Sequence, residues 1–150
     1  MTLAESNLTK AMKLAINVHA RQFDKAGQPY ILHVLRVMDG VRQHDDRHMV
    51  VALLHDTVED GHLKLAEIEH DFGYTVARAV EALTRLESDS GKMPRYDYET
   101  YIHRVATNSI AKYVKRSDLR DNLDRSRIPA PGIQDYERWG RYEWALAYLA

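Results

Sequence analysis

The chain has 150 residues, of which 45% are hydrophobic and 29% are charged, and its formal net charge is −1. This length predicts one domain, residues 1–150, and the near-neutral charge argues against bulk electrostatic binding to nucleic acid or anionic membrane. The chain has no cysteine, which excludes disulfides and thiolate metal sites and makes a reducing cytoplasm the expected location. No apolar run approaches the roughly 20 residues of a membrane span.

The apolar spacing of the N-terminal region predicts two helices. Thr2 and Glu5 form a capping-box pattern that marks the start of the first helix. The sequence DKAGQPY (24–30) is predicted to be a loop, because Gly and Pro interrupt the helical spacing. The second helix is predicted over 31–41. Its inward face is assigned to four apolar residues: Ile31, Leu32, Leu35 and Met38.

The middle of the chain continues the helical pattern. A third helix is predicted over about 47–58, with Asp45 or Asp46 as its N-cap. A short helix over 63–71 and a clearly amphipathic helix over 72–87 follow.

The C-terminal half begins with a predicted surface loop at 88–97, which contains Gly, Pro and two basic residues. Helices are predicted over 98–107, 109–124 and 133–149, and the last is rich in Tyr and Trp. Those aromatic residues are interpreted as core or dimer packing, which leaves a homo-oligomer open. Strand-like alternation does not persist anywhere, so the predicted fold class is all-α.

The segment LLHDTVED (53–60) begins as a core helix and ends in an imidazole and three carboxylates. On a helix, His55 and Glu59 are i, i+4 neighbours, and Asp56 shares their side of the helix with Glu59 and Asp60. Negative charge at a helix C-terminus opposes the macrodipole, and carboxylates this close repel one another unless a cation joins them. The pattern therefore indicates a divalent metal, and N/O ligands suit Mn²⁺, Fe²⁺ or Zn²⁺.

Further ligands must come from other helices. His33 lies on the core-side edge of the second predicted helix, and Asp118 begins a polar stripe that continues through Asn122 and Arg125. Each residue also has a plainer interpretation: His33 as a core histidine, Asp118 as a solvated or ion-paired residue, and Glu59 as a group facing water. Spacing alone leaves the metal site and these structural roles about equally open.

Three segments of the chain, in order, resemble a known family. HARQFDKAGQPYILHVLRV, VALLHDTVED and VKRSDLRDNLD together resemble the HD-domain phosphohydrolases, and within them the RelA/SpoT hydrolase domain and its small single-domain alarmone hydrolases. The similarity runs from about residue 15 to 128. It implies a helical HD bundle in which one Mn²⁺ is held by His33, His55, Asp56 and Asp118. It also implies a stringent-response reaction, removal of the 3′-pyrophosphate from ppGpp or pppGpp to give GDP or GTP plus pyrophosphate.

The resemblance also assigns roles to residues beyond the metal ligands. Glu59 and Asp60 match the pair that orients and activates the attacking water and manages protons. Lys25 matches a loop lysine before the Gly-x-Pro-Tyr segment, and Asn122 matches a substrate-contacting Asn. Beyond these matches, Arg125 and Arg85 are candidates to meet substrate phosphates, although a solvated surface charge is an equally open interpretation for Lys25 and both arginines.

The chain departs from the longer enzymes at two positions, of which the first bears on the substrate and the second is similar to the small branch. Those enzymes have Arg at the position of Asp24, where the Arg contacts the guanine base, and they have His at the position of Asp121. The charge reversal at Asp24 leaves the preferred nucleotide open. The first alternative is therefore hydrolysis of another phosphorylated nucleotide, such as NADPH. The second is a non-catalytic HD domain that binds nucleotide or protein without turnover.

Overall fold

The computed structural model describes residues 3–59, 63–85 and 95–150, with the side chains of 95 and 96 left out. This part of the chain is helical and contains no strand, so the predicted all-α class is confirmed. A 3₁₀ turn, Arg125–Arg127, follows the seventh helix. The helices of the described residues are α1 Asn7–Val18, α2 Tyr30–Asp39, α3 Asp46–Leu54, α4 Leu65–Phe72, α5 Tyr74–Leu83, α6 Arg95–Ala106, α7 Ser109–Asn122 and α8 Ile133–Leu149.

The first helix begins later than predicted. Ser6 is the N-cap of α1, and its hydroxyl accepts the backbone N–H of Thr9 at 3.1 Å. The predicted capping box at Thr2 and Glu5 is therefore wrong for this helix, because Ser6 satisfies the free N–H groups of the first turn. Thr2 itself lies outside the described residues.

The inward face of α2 is rotated relative to the prediction. His33, Val34 and Val37 are buried, whereas Leu32 is 40% exposed. The other three predicted inward residues, Ile31, Leu35 and Met38, are half-buried. Because α2 packs against both α3 and α7, the stripe that faces these two helices is the buried one, and it carries His33 inward.

The third helix ends at Leu54, before the predicted end at about 58, so the histidine–carboxylate motif lies on the turn that follows it. The carbonyls of the last turn are taken up by side chains rather than by further helix. His55 Nδ1 donates to Ala52 O at 2.5 Å, and Thr57 Oγ1 donates to Leu54 O at 2.7 Å. The motif therefore follows the end of the helix instead of forming a further helical turn.

The helix predicted over 72–87 is confirmed only in part, because α4 extends to Phe72 and Gly73 separates it from α5. Gly73 has φ +94°, a conformation that L residues rarely adopt, and this breaks the helix. The positions after Arg85 lie outside the described residues until α6 begins at Arg95. Most of the predicted 88–97 loop is therefore not described.

The core is centred on α3, whose residues 50–54 are all buried. Helices α1, α2, α5 and α7 pack around it, and α8 closes the bundle against α6 and α7. This arrangement sets the inner side of α2, the end of α3 and the middle of α7 next to one another. None of the described helices combines the length and apolarity that a membrane crossing needs.

Candidate metal centre and adjoining cavity

Four predicted ligands from three elements meet at one buried place. The ligand atoms of His33, His55 and Asp56 lie within 4.8 Å of one another. Asp118 of α7 joins them, since its Oδ1 is 2.9 Å from His33 Nε2 and 3.7 Å from His55 Nε2. The fold thus brings together all four residues that the resemblance implies as metal ligands.

Both imidazoles are oriented by a hydrogen bond on the side away from this centre. His55 Nδ1 donates to the backbone oxygen of Ala52, and His33 Nδ1 donates to Asp121 Oδ2 at 2.6 Å. With Nδ1 acting as the donor, the Nε2 lone pair of each neutral ring points toward the carboxylates. This is the tautomer in which a histidine ligates a metal through Nε2.

Both carboxylates are also held from outside the centre. The Tyr30 hydroxyl donates to Asp56 Oδ2. Lys115 Nζ donates to Asp118 Oδ2 at 2.8 Å, and its ammonium lies 5.2 Å from the centre of the Tyr101 ring. Asp118 therefore uses one oxygen for Lys115 and turns the other toward the histidines.

The charges of the centre are strongly coupled. Burial lowers the pKa of His55, but Asp56 and Asp118 outweigh burial and hold that pKa well above its ordinary value. Burial also opposes protonation of His33, and its hydrogen bonds to Asp118 and Asp121 again raise the pKa overall. Protons and a metal ion would therefore compete for the same nitrogens.

A divalent cation fits this donor set. His55 Nε2 is buried and makes no hydrogen bond within the part of the chain that the structure describes, although Asp56 Oδ2 is 3.1 Å away. A buried polar atom without a partner is costly, and a cation would satisfy it together with the two carboxylates. Two nitrogen and two oxygen donors suit a first-row divalent metal.

Glu59 lies just beyond this group. Its Oε1 accepts the backbone N–H of Arg85 at 3.0 Å. Glu59 is exposed as a whole residue, but partial desolvation of its carboxylate and the Asp56 charge raise its pKa, while the Arg85 N–H acts in the opposite direction. A carboxylate with a raised pKa is suited to accept and return a proton near neutral pH. Asp60, the second residue of the predicted catalytic pair, lies outside the described residues.

A cavity of about 320 Å³ adjoins the centre. Tyr30 and Asn122 line it and also contact the metal ligands, since Tyr30 donates to Asp56 and Asn122 Nδ2 donates to Asp118 Oδ1 at 3.2 Å. Its remaining lining includes basic, aromatic and acidic side chains. Its charged and aromatic lining residues include Asp24, Lys25, Asp124, Arg127, Arg138, Trp139 and Tyr142.

Some of the predicted substrate ligands line this cavity and others do not. Lys25 and Asn122 line it. Arg125 is not among the described lining residues, because its guanidinium pairs with Glu143 at 2.5 Å and lies 4.8 Å from the centre of the Trp139 ring. Its role as a phosphate ligand stays a prediction. The Arg85 guanidinium lies over tyrosine rings of α6.

Asp24 has a structural role in the loop before α2. Its Oδ1 accepts the backbone N–H groups of Ala26 and Gln28, both at 2.9 Å, and Gly27 adopts φ +82° in the same turn. This turn presents Lys25 to the cavity, where burial and then the charge of Arg138 lower the pKa of Lys25. The acidic side chain at 24 therefore shapes the loop, and it also lines the cavity.

Several residues of the centre and cavity were missed from sequence. Lys115 and Asp121 lie three residues before and after Asp118 on α7, so helical spacing around that ligand could have found them. Tyr30 lies three residues before His33 and could have been found in the same way. Arg127 carried no such signal, because it lies on the 3₁₀ turn after the helix.

Comparison with known proteins identifies the family. Residues 11–111 match the family model of the HD domain. The chain belongs to the HD-domain family. A solved structure described as "a metazoan ortholog of SpoT" that "hydrolyzes ppGpp" covers 99% of this HD-domain chain with a TM-score of 0.80. That match covers 88% of the other chain at 23% identity, and it supports the fold.

Relatives of similar size exist in animals. The HD-domain chain is 34% identical over 146 residues to guanosine-3′,5′-bis(diphosphate) 3′-pyrophosphohydrolase MESH1 of Danio rerio, covering 88% of this chain and 79% of that protein. It is 34% identical over 149 residues to the protein of the same name from Mus musculus, covering 93% and 81%. A guanosine-3′,5′-bis(diphosphate) 3′-pyrophosphohydrolase of Aquifex aeolicus is 33% identical over 119 residues, 77% of this chain but only 17% of that protein.

Proposed function

We propose that this HD-domain protein is a manganese-dependent hydrolase that removes the 3′-pyrophosphate of ppGpp and pppGpp. The observation that carries the proposal is the junction between the His–Asp centre and the cavity, where Tyr30 and Asn122 belong to both. Relatives that span most of the chain bear the name of this activity. Water cleaves the bond between the ribose 3′ oxygen and phosphorus, so the products are pyrophosphate and GDP or GTP.

The proposed metal ligands are His33, His55, Asp56 and Asp118. A divalent metal held by them would supply Lewis-acid charge to a phosphoryl oxygen and lower the pKa of water, and Mn²⁺ suits the mixed nitrogen and oxygen donors. The protein's own contribution is to fix the donors before the metal arrives. Each of the four ligands already has a partner on the side away from the centre.

Glu59 is the proposed general base. It has a raised pKa and lies close enough to Asp56 for the charge of that residue to contribute to the shift. An ionised Glu59 takes a proton from the attacking water, and the 3′ oxygen of the ribose gains a proton as it leaves. We assign Asp60 to the management of these protons, as the resemblance implies.

Lys25 and Asn122 are proposed to bind the substrate from the cavity wall. Lys25 contributes positive charge toward the phosphates, and Asn122 links the substrate site to Asp118 through its side-chain amide. Tyr142, which is half-buried in the cavity wall, offers aromatic surface on which a purine base can stack. Arg125 is also proposed to bind a phosphate, which requires that its ion pair with Glu143 break when the substrate binds.

Asp24 favours one rival substrate class. Because an acidic residue lines the cavity where the longer enzymes have a guanine-contacting Arg, another phosphorylated nucleotide such as NADPH is the alternative. The Mn²⁺-loaded protein should be given ppGpp, pppGpp and NADPH separately, and kcat/KM should be measured for each. We expect the two guanosine substrates to rank first. NADPH ranking above ppGpp would move the proposal to the rival.

The same three nucleotides also test the second alternative, a non-catalytic HD domain that binds nucleotide without turnover. Tight binding of ppGpp with no product in the presence of Mn²⁺ would indicate a binding domain. Asp118→Asn serves as the matched negative control, because it changes one ligand atom and little volume. We place the activity in the cytoplasm, since the chain has no cysteine and its proposed substrates are soluble nucleotides.

A further inference from the structure

The carboxylate of Asp121 lies directly behind the metal ligand His33. Its side chain is 10% exposed, and its Oδ2 is 2.6 Å from His33 Nδ1. Two arginines share it: Arg36 Nε donates to Oδ1 at 2.6 Å, and Arg127 Nη1 donates to Oδ1 at 3.1 Å. One carboxylate is thus held by one imidazole and two guanidinium groups.

The two arginines occupy different surroundings. Arg127 lines the cavity and adds a second bond, from Nη2 to the backbone oxygen of Asp121 at 2.7 Å. Arg36 is not among the described cavity-lining residues, and its side chain is 41% exposed, compared with 23% for Arg127. Asp121 therefore lies between the metal centre and a cation of the cavity wall.

We infer that Asp121 is a positioning residue that orients His33 toward the metal, and that Arg127 binds an anionic group of the substrate in the cavity. A carboxylate that accepts the Nδ1–H of a histidine fixes the ring and strengthens Nε2 as a donor. A guanidinium presents a planar fork that matches phosphate oxygens. The identity of the substrate used below rests on the proposed function, whereas the role of Asp121 does not.

The role of Asp121 is tested by metal binding alone. Mn²⁺ should be titrated into the metal-free protein by isothermal calorimetry for the native chain, Asp121→Asn and Asp124→Asn. Asp124 is a matched control, because it follows Asp121 by three residues and its carboxylate accepts hydrogen bonds from Ser126 rather than from a metal ligand. We expect Asp121→Asn to raise the Mn²⁺ Kd roughly tenfold and Asp124→Asn to leave it within about twofold.

A conservative variant separates charge from packing. Asp121→Glu retains the carboxylate on a longer side chain and should recover part of the affinity that Asp121→Asn loses. It also serves as the test if Asp121→Asn does not fold, which thermal unfolding without metal would reveal. Equal Mn²⁺ affinity for Asp121→Asn and Asp124→Asn would overturn the positioning role, as would equal losses for Asn and Glu at 121.

The role of Arg127 is tested by substrate binding without metal. Binding of ppGpp should be measured by calorimetry in the presence of EDTA for the native chain, Arg127→Met and Arg36→Met. Both variants remove one cation from Asp121, but only Arg127→Met removes a cation from the cavity wall. We expect Arg127→Met to raise the ppGpp Kd roughly tenfold, because a charge-assisted hydrogen bond is lost, and Arg36→Met to change it within about twofold.

The Mn²⁺ titrations test Asp121 and the ppGpp titrations test Arg127, so the two roles can fail separately. Equal effects of Arg36→Met and Arg127→Met on ppGpp binding would overturn the assignment of Arg127. If the native protein neither binds nor cleaves ppGpp, the proposed function fails. The calorimetry with Mn²⁺ still decides whether Asp121 positions His33.

Discussion

Lys115 Nζ lies 2.8 Å from Asp118 Oδ2, and the side chains are 11% and 7% exposed. A buried ion pair contributes little net stability, but removing one partner leaves an uncompensated buried charge. Burial lowers the pKa of Lys115, yet Asp118 and the nearby tyrosines hold that pKa well above its usual range, so the pair is ionised. The pair turns the other oxygen of Asp118 toward His33.

Lys115→Met is therefore expected to destabilise the metal-free protein by about 3 kcal/mol. Chemical denaturation in EDTA measures this directly. Arg120→Met is the control, because it removes a cation from an exposed position of the same helix. Added Mn²⁺ should restore part of the lost stability, since it supplies a cation to Asp118. A Lys115 variant as stable as the Arg120 variant would contradict this explanation.

Loss of a metal ligand should remove metal and activity together. We expect His55→Ala and Asp56→Asn to retain little Mn²⁺ after dialysis and to show no ppGpp cleavage, because each is a proposed donor to the metal. Metal content by mass spectrometry and product analysis on the same sample test this. His48→Ala is the control, since the ring of His48 stacks on His44 away from the centre. Normal metal content in His55→Ala would refute the ligand assignment.

Glu59→Gln should separate metal binding from turnover. The amide keeps the shape of the side chain but cannot accept a proton from water, so we expect kcat to fall by roughly 10²- to 10⁴-fold. The Mn²⁺ Kd should stay within about twofold of the native value. Steady-state kinetics and calorimetry on one preparation measure both quantities. Full turnover by Glu59→Gln would show that another group activates the water.

The stability of the metal-free protein should depend on pH through the histidines. Folding raises the pKa of His33 and His55 above the ordinary value of 6.5. A raised pKa stabilises the fold fully below that ordinary value, and this contribution is lost as the pH rises through the folded-state pKa. We therefore expect the Tm in EDTA to fall as the pH rises above about 6.5.

Bound Mn²⁺ should reverse the fall in Tm with pH. At high pH protons no longer compete for the histidine nitrogens, so the metal binds more tightly and stabilises the folded protein. Thermal unfolding across the same pH range, with and without Mn²⁺, measures the difference. His55→Ala in EDTA should show a smaller fall in Tm than the native chain. A metal-free Tm that rises with pH would contradict the charge assignment.

The sequence allowed the helical class and most of the helices to be predicted, because apolar spacing reports on burial. The last helix was placed at Ile133–Leu149 as found. The end of α3 was misplaced, since hydrophobic spacing does not show that the His55 and Thr57 side chains take up the terminal carbonyls. The rotation of α2 was also missed, because a mostly apolar helix has several plausible inward faces, and only contacts with α3 and α7 select one.

The sequence predicts which residues form the candidate centre, but not how their side chains are arranged in space. Spacing along one helix suggests ligands near His55, helix positions offer His33 and Asp118 as candidates, and the resemblance implies the four residues as one set. The outer partners of these ligands, such as Asp121 behind His33, depend on how α2 and α7 meet. The pairing of Arg125 with Glu143 likewise joins the turn after α7 to α8, and no local pattern predicts it.

The most direct test of the central claim is product analysis after metal removal and return. The protein should be stripped with EDTA, divided into metal-free and Mn²⁺-loaded halves, and incubated with ppGpp, and the products should be separated by anion-exchange chromatography. We predict GDP and pyrophosphate in equal amounts from the Mn²⁺-loaded half and unchanged ppGpp in the other. Unchanged ppGpp in both halves, with bound Mn²⁺ verified in the loaded sample, would contradict the proposed function.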